Sequence, residues 1–198
     1  MLSLTEKEKS LNPSAMVTYK RPNTIGQRIT NFKTMAFTTH DTDAIGSSAP
    51  CGRCALCGNH GKYNKSMVPT INTLKTGNKT IQLAQKLNCK NFGIYVATCI
   101  LCNAQYVGQT VNKFSVRWAA HRSTWNNFNL EQEGDQVALL RHFATFHSIK
   151  DEPNIYDCFT VTFVEQPRHD TLDACEDKWF HKIGATINIQ NTLLPKFK

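Results

Sequence analysis

Two short apolar segments separated by a six-residue link constrain the fold of this chain more than any other feature. Phe92–Thr98 and Gln105–Gln109 are both rich in residues that favour β-strands, and the link between them is Cys99-Ile100-Leu101-Cys102-Asn103-Ala104. Two such segments joined by so short a link predict a β-hairpin.

Helical and extended patterns follow the hairpin. Apolar residues at helical spacing predict helices over Asn112–Asn126, Asp135–Phe146 and Thr171–Ile183. Cys158–Glu165 alternates apolar and polar residues, which predicts a third strand. The resulting order, β-β-α-α-β-α, indicates a small α+β fold.

Basic residues are concentrated in the first half of the chain. Residues 1–90 carry thirteen Lys and Arg against four Asp and Glu, whereas residues 91–198 carry ten against eleven. We expect a flexible basic leader over 1–48, a basic linker with cysteines over 49–90, and a catalytic module over 91–198. A basic arm suits contacts to a phosphate backbone, although lysines that only keep a leader soluble explain the charge equally well.

The chain lacks the signals of a secreted or membrane protein. Its longest apolar stretch, Tyr95–Leu101, is far shorter than the roughly 20 residues that span a bilayer. Met1–Leu11 has no apolar region of the kind found in secretory signals. We therefore expect a nuclear or cytoplasmic protein that is not secreted and does not contact a membrane. In such reducing compartments, Cys-x-x-Cys spacing more often indicates metal than disulfides.

Two groups of side chains have the spacing of zinc ligands. The first combines a Cys-x-x-Cys pair in the hairpin link with two histidines at the end of the second helix: Cys99, Cys102, His142 and His147. The second combines three cysteines in one short loop with a cysteine before the first strand: Cys51, Cys54, Cys57 and Cys89. His60 competes for the fourth position of the second group. Two free thiols with two surface histidines are the alternative for the first group.

Five short motifs occur in one order over residues 92–192. They are Gly93-Ile94-Tyr95, Tyr106-Val107-Gly108, Arg117-Trp118-x-x-His121, Glu176-x-x-Trp179 and Ile187-Asn188-Ile189. In this order they resemble the motifs of GIY-YIG nucleases, with Val107 in place of the second Ile. The resemblance implies a small GIY-YIG-type sheet flanked by helices, here with zinc-binding insertions and a basic N-terminal extension.

The residue types in these motifs suit phosphodiester hydrolysis, which needs an activated water and positive charge at the phosphate. Arg117 offers a guanidinium fork, and His121, one helical turn later, can reach the same phosphate or the leaving oxygen. Glu176 is a hard oxygen ligand for Mg²⁺ or Mn²⁺. The resemblance implies that Tyr95 positions or deprotonates the water, and it implies six catalytic residues in all: Tyr95, Tyr106, Arg117, His121, Glu176 and Asn188. Taken singly, each could instead belong to ordinary sheet structure or to a solvated helix face.

The cysteine and histidine pattern also resembles the nuclease of Penelope-like retroelements, which carries a Cys-Cys-His-His site in this setting. This resemblance implies a DNA endonuclease that nicks its substrate and provides the primer end for reverse transcription. It also implies element RNA or a reverse transcriptase domain as further partners. Two alternatives stay open: a zinc-stabilised nucleic-acid-binding module that does not cut, and a cellular structure-specific repair nuclease. A pure binder would not need Glu176.

Overall fold

The computed structural model describes residues 45–58, 66–127, 130, 134–147 and 154–193, which belong to one compact unit, Ala44–Lys198. Its strands are β1 (Ser47–Ala49), β2 (Thr73–Thr76), β3 (Lys79–Gln82), β4 (Lys86–Asn88), β5 (Gly93–Cys99), β6 (Gln105–Thr110) and β7 (Phe159–Glu165). Its helices are α1 (Phe114–Asn127), α2 (Ala138–Phe146), α3 (Ile155–Cys158), α4 (Leu172–Ile183) and α5 (Thr186–Leu193). Nearly all of the predicted leader, 1–48, lies outside the described residues.

The central sheet is antiparallel, with strand order β6-β5-β7. The predicted hairpin is confirmed, with Tyr95 opposite Gly108 and Ala97 opposite Tyr106. The predicted third strand is also confirmed and pairs with the free side of β5. The sheet and its flanking helices confirm the α+β fold class.

Both faces of the sheet are covered, because successive residues of a strand point to opposite sides. Tyr95 and Ala97 face one core, which α1 and α2 cover with aromatic and aliphatic side chains. Ile94 and Val96 face a second core, which includes side chains from α4 and from the β2–β3 hairpin. The sheet therefore has helices on both sides, and residues at its centre are almost completely buried.

The segment before the sheet is part of the same unit. Gly77 and Asn78 form the turn that joins β2 to β3. β1 pairs in parallel with β4, and the backbone N–H of Phe163 donates to Ser48 Oγ at 2.9 Å. Residues 45–58 and 66–90 thus contribute strands and core side chains beside the sheet, while the division into linker and catalytic module at residue 90 stays a prediction.

Three details of the predicted helices were wrong. α1 begins at Phe114 and not at Asn112, because the first helical hydrogen bond runs from the N–H of Arg117 to the carbonyl of Lys113. α2 begins at Ala138 because Gly134, at φ +102°, opens a turn over the three preceding residues. The order also omitted the short helix α3 and the C-terminal helix α5. No helix among the described residues is long and apolar enough to cross a membrane.

Candidate active site

The two motif tyrosines lie side by side on β5 and β6. The ring centroids of Tyr95 and Tyr106 are 6.2 Å apart, and both side chains are almost fully buried. The face that carries them is covered by α1, whose first turns bring Arg117 and His121 to the same place. Three of the predicted motifs therefore meet around one hydroxyl group, that of Tyr95.

The Tyr95 hydroxyl is held between two side chains of α1. His121 Nε2 lies 2.6 Å from Tyr95 Oη, and Arg117 Nε donates to the same oxygen at 3.4 Å. His121 Nδ1 lies 3.2 Å from the carbonyl oxygen of Gln136. Because a carbonyl only accepts, Nδ1 carries the ring hydrogen, and Nε2 accepts from the tyrosine. The Tyr95 hydroxyl therefore donates to His121 and accepts from Arg117.

Burial keeps both members of this pair neutral. It raises the pKa of Tyr95 to about 12, against the opposing effect of Arg117. Burial, followed by the nearby Arg117 charge, lowers the pKa of His121 to about 3. The pKa of Arg117 is raised, since its contacts with Tyr95 and Tyr106 outweigh its own burial. At neutral pH the site therefore holds a neutral phenol, a neutral imidazole and one guanidinium cation.

His121 is only 1% exposed, and its two ring nitrogens are engaged by Tyr95 and Gln136. The sequence suggested that this ring reaches the phosphate or the leaving oxygen, which stays a prediction. In the structure the Tyr95 hydroxyl stands between the imidazole and Arg117.

Gly108 makes room for the Tyr95 hydroxyl. A Cβ atom at this position would lie 2.5 Å from Tyr95 Oη and 2.7 Å from Tyr106 Cε1. Neither ring has space to move, because both are packed in the core. The glycine of the second motif is therefore explained by the close approach of the two tyrosines.

We expect Gly108→Ala to damage the site through this contact. The added methyl group would push the Tyr95 hydroxyl away from His121, which should lower any activity of the site by about 100-fold. Overpacking should also destabilise the protein by about 1–3 kcal/mol. Nicking rates and thermal melts would measure the two effects, and a variant with wild-type values of both would contradict this explanation of the glycine.

Glu176 lies on α4 and is half-buried. It lines a cleft of about 300 Å³ together with Asp173, Asp177, Phe180, Asn188 and Ile189. Burial and the charge of Asp135 raise the pKa of Glu176, while a hydrogen bond from Gln109 and the charge of Arg117 oppose the rise. The carboxylate thus lies close enough to Arg117 and Tyr95 to interact electrostatically with both.

The carboxylate oxygens at and around Glu176 fit a hard divalent cation. A carboxylate whose pKa is raised by burial and by a second carboxylate gains from a nearby positive charge. Among the described residues, groups of three or more ligand atoms occur only at the two cysteine clusters, so Glu176 is not part of a complete cage. A single carboxylate suits Mg²⁺ or Mn²⁺, because Mg²⁺ usually keeps several waters and takes substrate oxygens as ligands.

Asn188, on α5, contacts backbone and not the tyrosine hydroxyls. Its Nδ2 donates to the carbonyl of Val107 at 2.8 Å, and its Oδ1 accepts from the N–H of Val107 at 2.8 Å. Val107 lies on β6, the edge strand of the sheet. The amide therefore satisfies both polar groups of an otherwise unpaired backbone position and fixes the strand that carries Tyr106.

Both predicted zinc-ligand groups come together. In the first, Cys99 Sγ lies 3.4 Å from His147 Nε2, and Cys102 Sγ lies 3.4 Å from His142 Nε2. All four ligand atoms lie within 4.8 Å of one another. Tetrahedral zinc places sulfur and nitrogen ligands about 3.6 Å apart, so this group could bind zinc.

The upstream group gathers around Cys57, whose Sγ lies 3.8, 3.5 and 3.2 Å from those of Cys51, Cys54 and Cys89. Four thiolates around zinc are about 3.8 Å apart, so these cysteines also fit the ion. His60, the competing fourth ligand, lies outside the described residues. Cys89, which is fully buried, fills the fourth position in this structure.

Two residues with no motif signal also contact the site. Gln109 Nε2 donates to Asp173 Oδ1 at 2.6 Å, beside Glu176. Glu165, at the end of β7, accepts from Trp179 Nε1 at 2.7 Å and so ties α4 to the sheet. Gln109 directly follows the second motif, but its sequence position alone does not reveal that it meets α4.

Comparisons with known proteins give one similarity at low identity. No protein-family model matches the chain, and no curated protein matches it. The solved structure of the catalytic domain of homing endonuclease I-TevI is similar, with 21% identity, a TM-score of 0.37, and coverage of 50% of this chain and 94% of that one. The roles of individual residues in this chain rest on the contacts described above.

Proposed function

We propose that this chain is a metal-dependent DNA endonuclease of the GIY-YIG type, which nicks DNA by hydrolysing a phosphodiester bond. The main support is the Tyr95 hydroxyl, which lies 2.6 Å from His121 Nε2 and within reach of Arg117. This arrangement places an oriented oxygen beside a permanent cation. Glu176, on α4, lies close enough to Arg117 to interact with it electrostatically.

Arg117 is suited to hold the scissile phosphate. Its guanidinium has five N–H donors, and Nε is used by Tyr95, so further donors remain for phosphate oxygens. A guanidinium in a partly buried site also stabilises the charge that develops in the transition state. Replacing it with a single ammonium would keep the charge and lose the fork.

Tyr95 is suited to orient the attacking water. Its hydrogen is committed to His121 and one lone pair of its oxygen accepts from Arg117, which leaves one lone pair to accept a hydrogen bond from a water molecule. Such a bond directs an oxygen lone pair of the water towards phosphorus. His121, which stays neutral, fixes the direction of the Tyr95 hydroxyl, and Gln136 in turn fixes the imidazole.

Glu176 would hold the divalent cation. When bound, Mg²⁺ or Mn²⁺ supplies Lewis-acid stabilisation of the phosphate and makes a coordinated water more acidic. The protein itself binds the phosphate through Arg117, orients the water through Tyr95 and places the Glu176 carboxylate within electrostatic reach of Arg117.

We also propose that the nuclease serves a Penelope-like retroelement, in which its nick provides the primer end for reverse transcription. The support is the meeting of two cysteines at the end of β5 and in the β5–β6 turn with two histidines in and directly after α2, in addition to an upstream cluster of four cysteines. Such a role needs a free 3′ hydroxyl at the nick. A polymerase should extend the nicked product directly, and failure to extend it would contradict this role.

The test of the proposed chemistry is the conversion of supercoiled plasmid to nicked circles. Wild-type protein should nick with Mg²⁺ or Mn²⁺ and should not nick in chelator. Tyr95→Phe should lower the rate by about 10²–10⁴-fold, because it removes the oxygen that orients the water. It should also cost about 1–3 kcal/mol in stability, since His121 Nε2 loses its partner, so rates must be compared below both melting temperatures.

Tyr156→Phe is the matched control. Tyr156 is also buried, its hydroxyl accepts from Arg122 Nη1 at 3.5 Å, and it does not line the cleft of Glu176. Its loss should leave nicking at the wild-type rate. If Tyr95→Phe cut as fast as this control, Tyr95 would have no part in the reaction.

A further inference from the structure

Gln109 lies on β6 directly after Gly108 and contacts the acidic side of α4. Its Nε2 donates to Asp173 Oδ1 at 2.6 Å, and its side chain also hydrogen-bonds Glu176. Asp173 and Glu176 are three residues apart on α4, so they share one face of the helix. A primary amide has two N–H donors, so this one side chain can hold both carboxylates.

We propose that Gln109 is a positioning residue that fixes the Glu176 carboxylate relative to Tyr95 and Arg117. The inference rests on the proposed endonuclease function, in which Glu176 holds the divalent cation. Gln109 would act through Glu176 and would not itself touch the metal or the DNA.

The backbone around Gln109 is well suited to this role because it is held on both edges. On one edge β6 pairs with β5, where Tyr95 lies opposite Gly108. On the other edge Asn188 binds both backbone polar groups of Val107. The backbone that carries Gln109 is therefore fixed relative to Tyr95. Through its amide, Gln109 can hold the Glu176 carboxylate of α4 at a fixed place relative to that tyrosine.

The hydrogen bonds of Gln109 also reduce the repulsion between the carboxylates around Glu176. Asp135 and Asp173 lie near Glu176, and their negative charges repel its carboxylate. The Gln109 amide donates to Asp173 Oδ1, and its hydrogen bonding lowers the pKa of Glu176, so the amide offsets part of this repulsion. Without the amide, the Glu176 side chain would be free to turn towards solvent, away from Arg117.

The first test is Gln109→Leu, which keeps the approximate volume and removes both donors. Residues that orient a metal ligand typically change metal affinity or activity by ~10–100-fold, and we expect losses of that size in Mn²⁺ affinity and in kcat. Mn²⁺ affinity is measured by calorimetric titration of the zinc-loaded protein without DNA. DNA affinity, measured in Ca²⁺, should stay within about twofold because it comes chiefly from basic residues.

Gln105→Leu is the matched control on the same strand. The Gln105 amide also makes two hydrogen bonds, to the carbonyl of Lys75 at 2.9 Å and to Thr98 Oγ1 at 3.1 Å. This variant should lower the melting temperature while leaving Mn²⁺ affinity and kcat unchanged. Equal losses in the two variants would mean that Gln109 only stabilises the fold, and would overturn the inference.

A double variant separates the two bonds that Gln109 makes. In Gln109→Glu the donors are lost, and a third carboxylate meets Asp173 and Glu176. With Asp173→Asn added, the amide at position 173 can donate to the carboxylate at position 109. The hydrogen bond between positions 109 and 173 is then restored with donor and acceptor exchanged, whereas the bond to Glu176 is not. We therefore expect the double variant to recover stability and to stay inactive. Recovery of nicking as well would overturn the role assigned to Gln109.

The outcomes distinguish this inference from the proposed function. If wild-type protein does not nick DNA in any divalent metal, both the function and the inference fail. If wild-type protein nicks and Glu176→Ala does not, but Gln109→Leu binds Mn²⁺ and nicks like wild type, only the inference fails. A selective loss of Mn²⁺ affinity and kcat in Gln109→Leu supports it.

Discussion

Glu176→Ala is expected to abolish plasmid nicking while leaving DNA binding and the thermal melt near their wild-type values. The carboxylate is half-buried beside Asp135, and its pKa is raised by burial and by that neighbour, so it is suited to a cation. Loss of the cation removes several kcal/mol of transition-state stabilisation, and about 4 kcal/mol corresponds to roughly a 10³-fold slower reaction. Affinity for DNA depends mainly on basic residues.

The stability of the Glu176→Ala protein should be unchanged or slightly increased. Burial and the like charge of Asp135 disfavour the ionised carboxylate, so its removal relieves a repulsion. Nicking is followed by gel densitometry over at least three orders of magnitude in rate, and binding by fluorescence anisotropy in Ca²⁺. Asp170→Ala, which removes an exposed acidic group outside the cleft, is the matched control.

A Glu176→Ala variant that nicks at more than about a tenth of the wild-type rate would exclude the metal-holding role, because such a loss is only about 1.4 kcal/mol. If binding to DNA fell as far as nicking did, Glu176 would matter for the assembly of the cleft and not for chemistry. Unchanged binding with lost nicking separates the endonuclease from a zinc-stabilised module that only binds.

The hairpin and the sheet could be predicted because their signals are local. Short runs of β-favouring residues define β5 and β6, and alternating apolar residues define β7. The zinc-ligand groups were also accessible, since Cys-x-x-Cys spacing brings two sulfur atoms together in any compact turn. To complete each group, the fold has only to bring one more segment to the cysteine pair. In the structure, the segment with His142 reaches the first group and the segment with Cys89 reaches the second.

The contacts that give each site residue its role could not be predicted, because they depend on packing between distant segments. His121 has the same sequence pattern whether it faces solvent or core. Its burial follows from the turn before α2, which brings the Gln136 carbonyl to the ring. Asn188 and Gln109 are amides with no periodic signal, and their partners lie about 60 to 80 residues away in the chain.

Helix ends were mispredicted for a related reason. Asn112 is a suitable N-cap by residue type, but the carbonyl of Lys113 accepts the first helical hydrogen bond, from the N–H of Arg117, so the helix begins two residues later. Residues 135–137 were included in the second predicted helix, yet they form a turn whose Gln136 carbonyl lies 3.2 Å from His121 Nδ1. In the second case the helical propensity yields to a contact with a site residue.

Cys102→Ser is expected to remove about one zinc ion per chain and to lower stability, solubility and activity together. Cys99, Cys102, His142 and His147 supply four protein ligands, so a zinc ion there has no open position for water and should not take part in hydrolysis. The site instead joins the β5–β6 turn to the end of α2. It thereby holds the strands of Tyr95 and Tyr106 in place.

The expected loss of stability is large compared with the net stability of a domain, which is typically about 5–15 kcal/mol. Structural zinc contributes roughly 10–16 kcal/mol of binding free energy in zinc-finger peptides. If only about 3 kcal/mol of this is lost, the melting temperature of a domain of this size should fall by roughly 6–12 °C. Zinc content is measured by mass spectrometry on protein purified without chelator, and stability by calorimetry.

Three comparison variants make the zinc prediction specific. Cys158→Ser changes a buried cysteine outside both clusters whose Sγ donates to the carbonyl of Asn154, a bond that serine can keep, so zinc content should not change. Cys57→Ser should remove the other zinc ion, since Cys57 contacts the remaining three upstream cysteines. Glu176→Ala should keep both ions and the wild-type melt. If purified wild-type protein contained no zinc, or Cys102→Ser melted like wild type, the four side chains would be ordinary loop and helix residues and their meeting in the fold would have another cause.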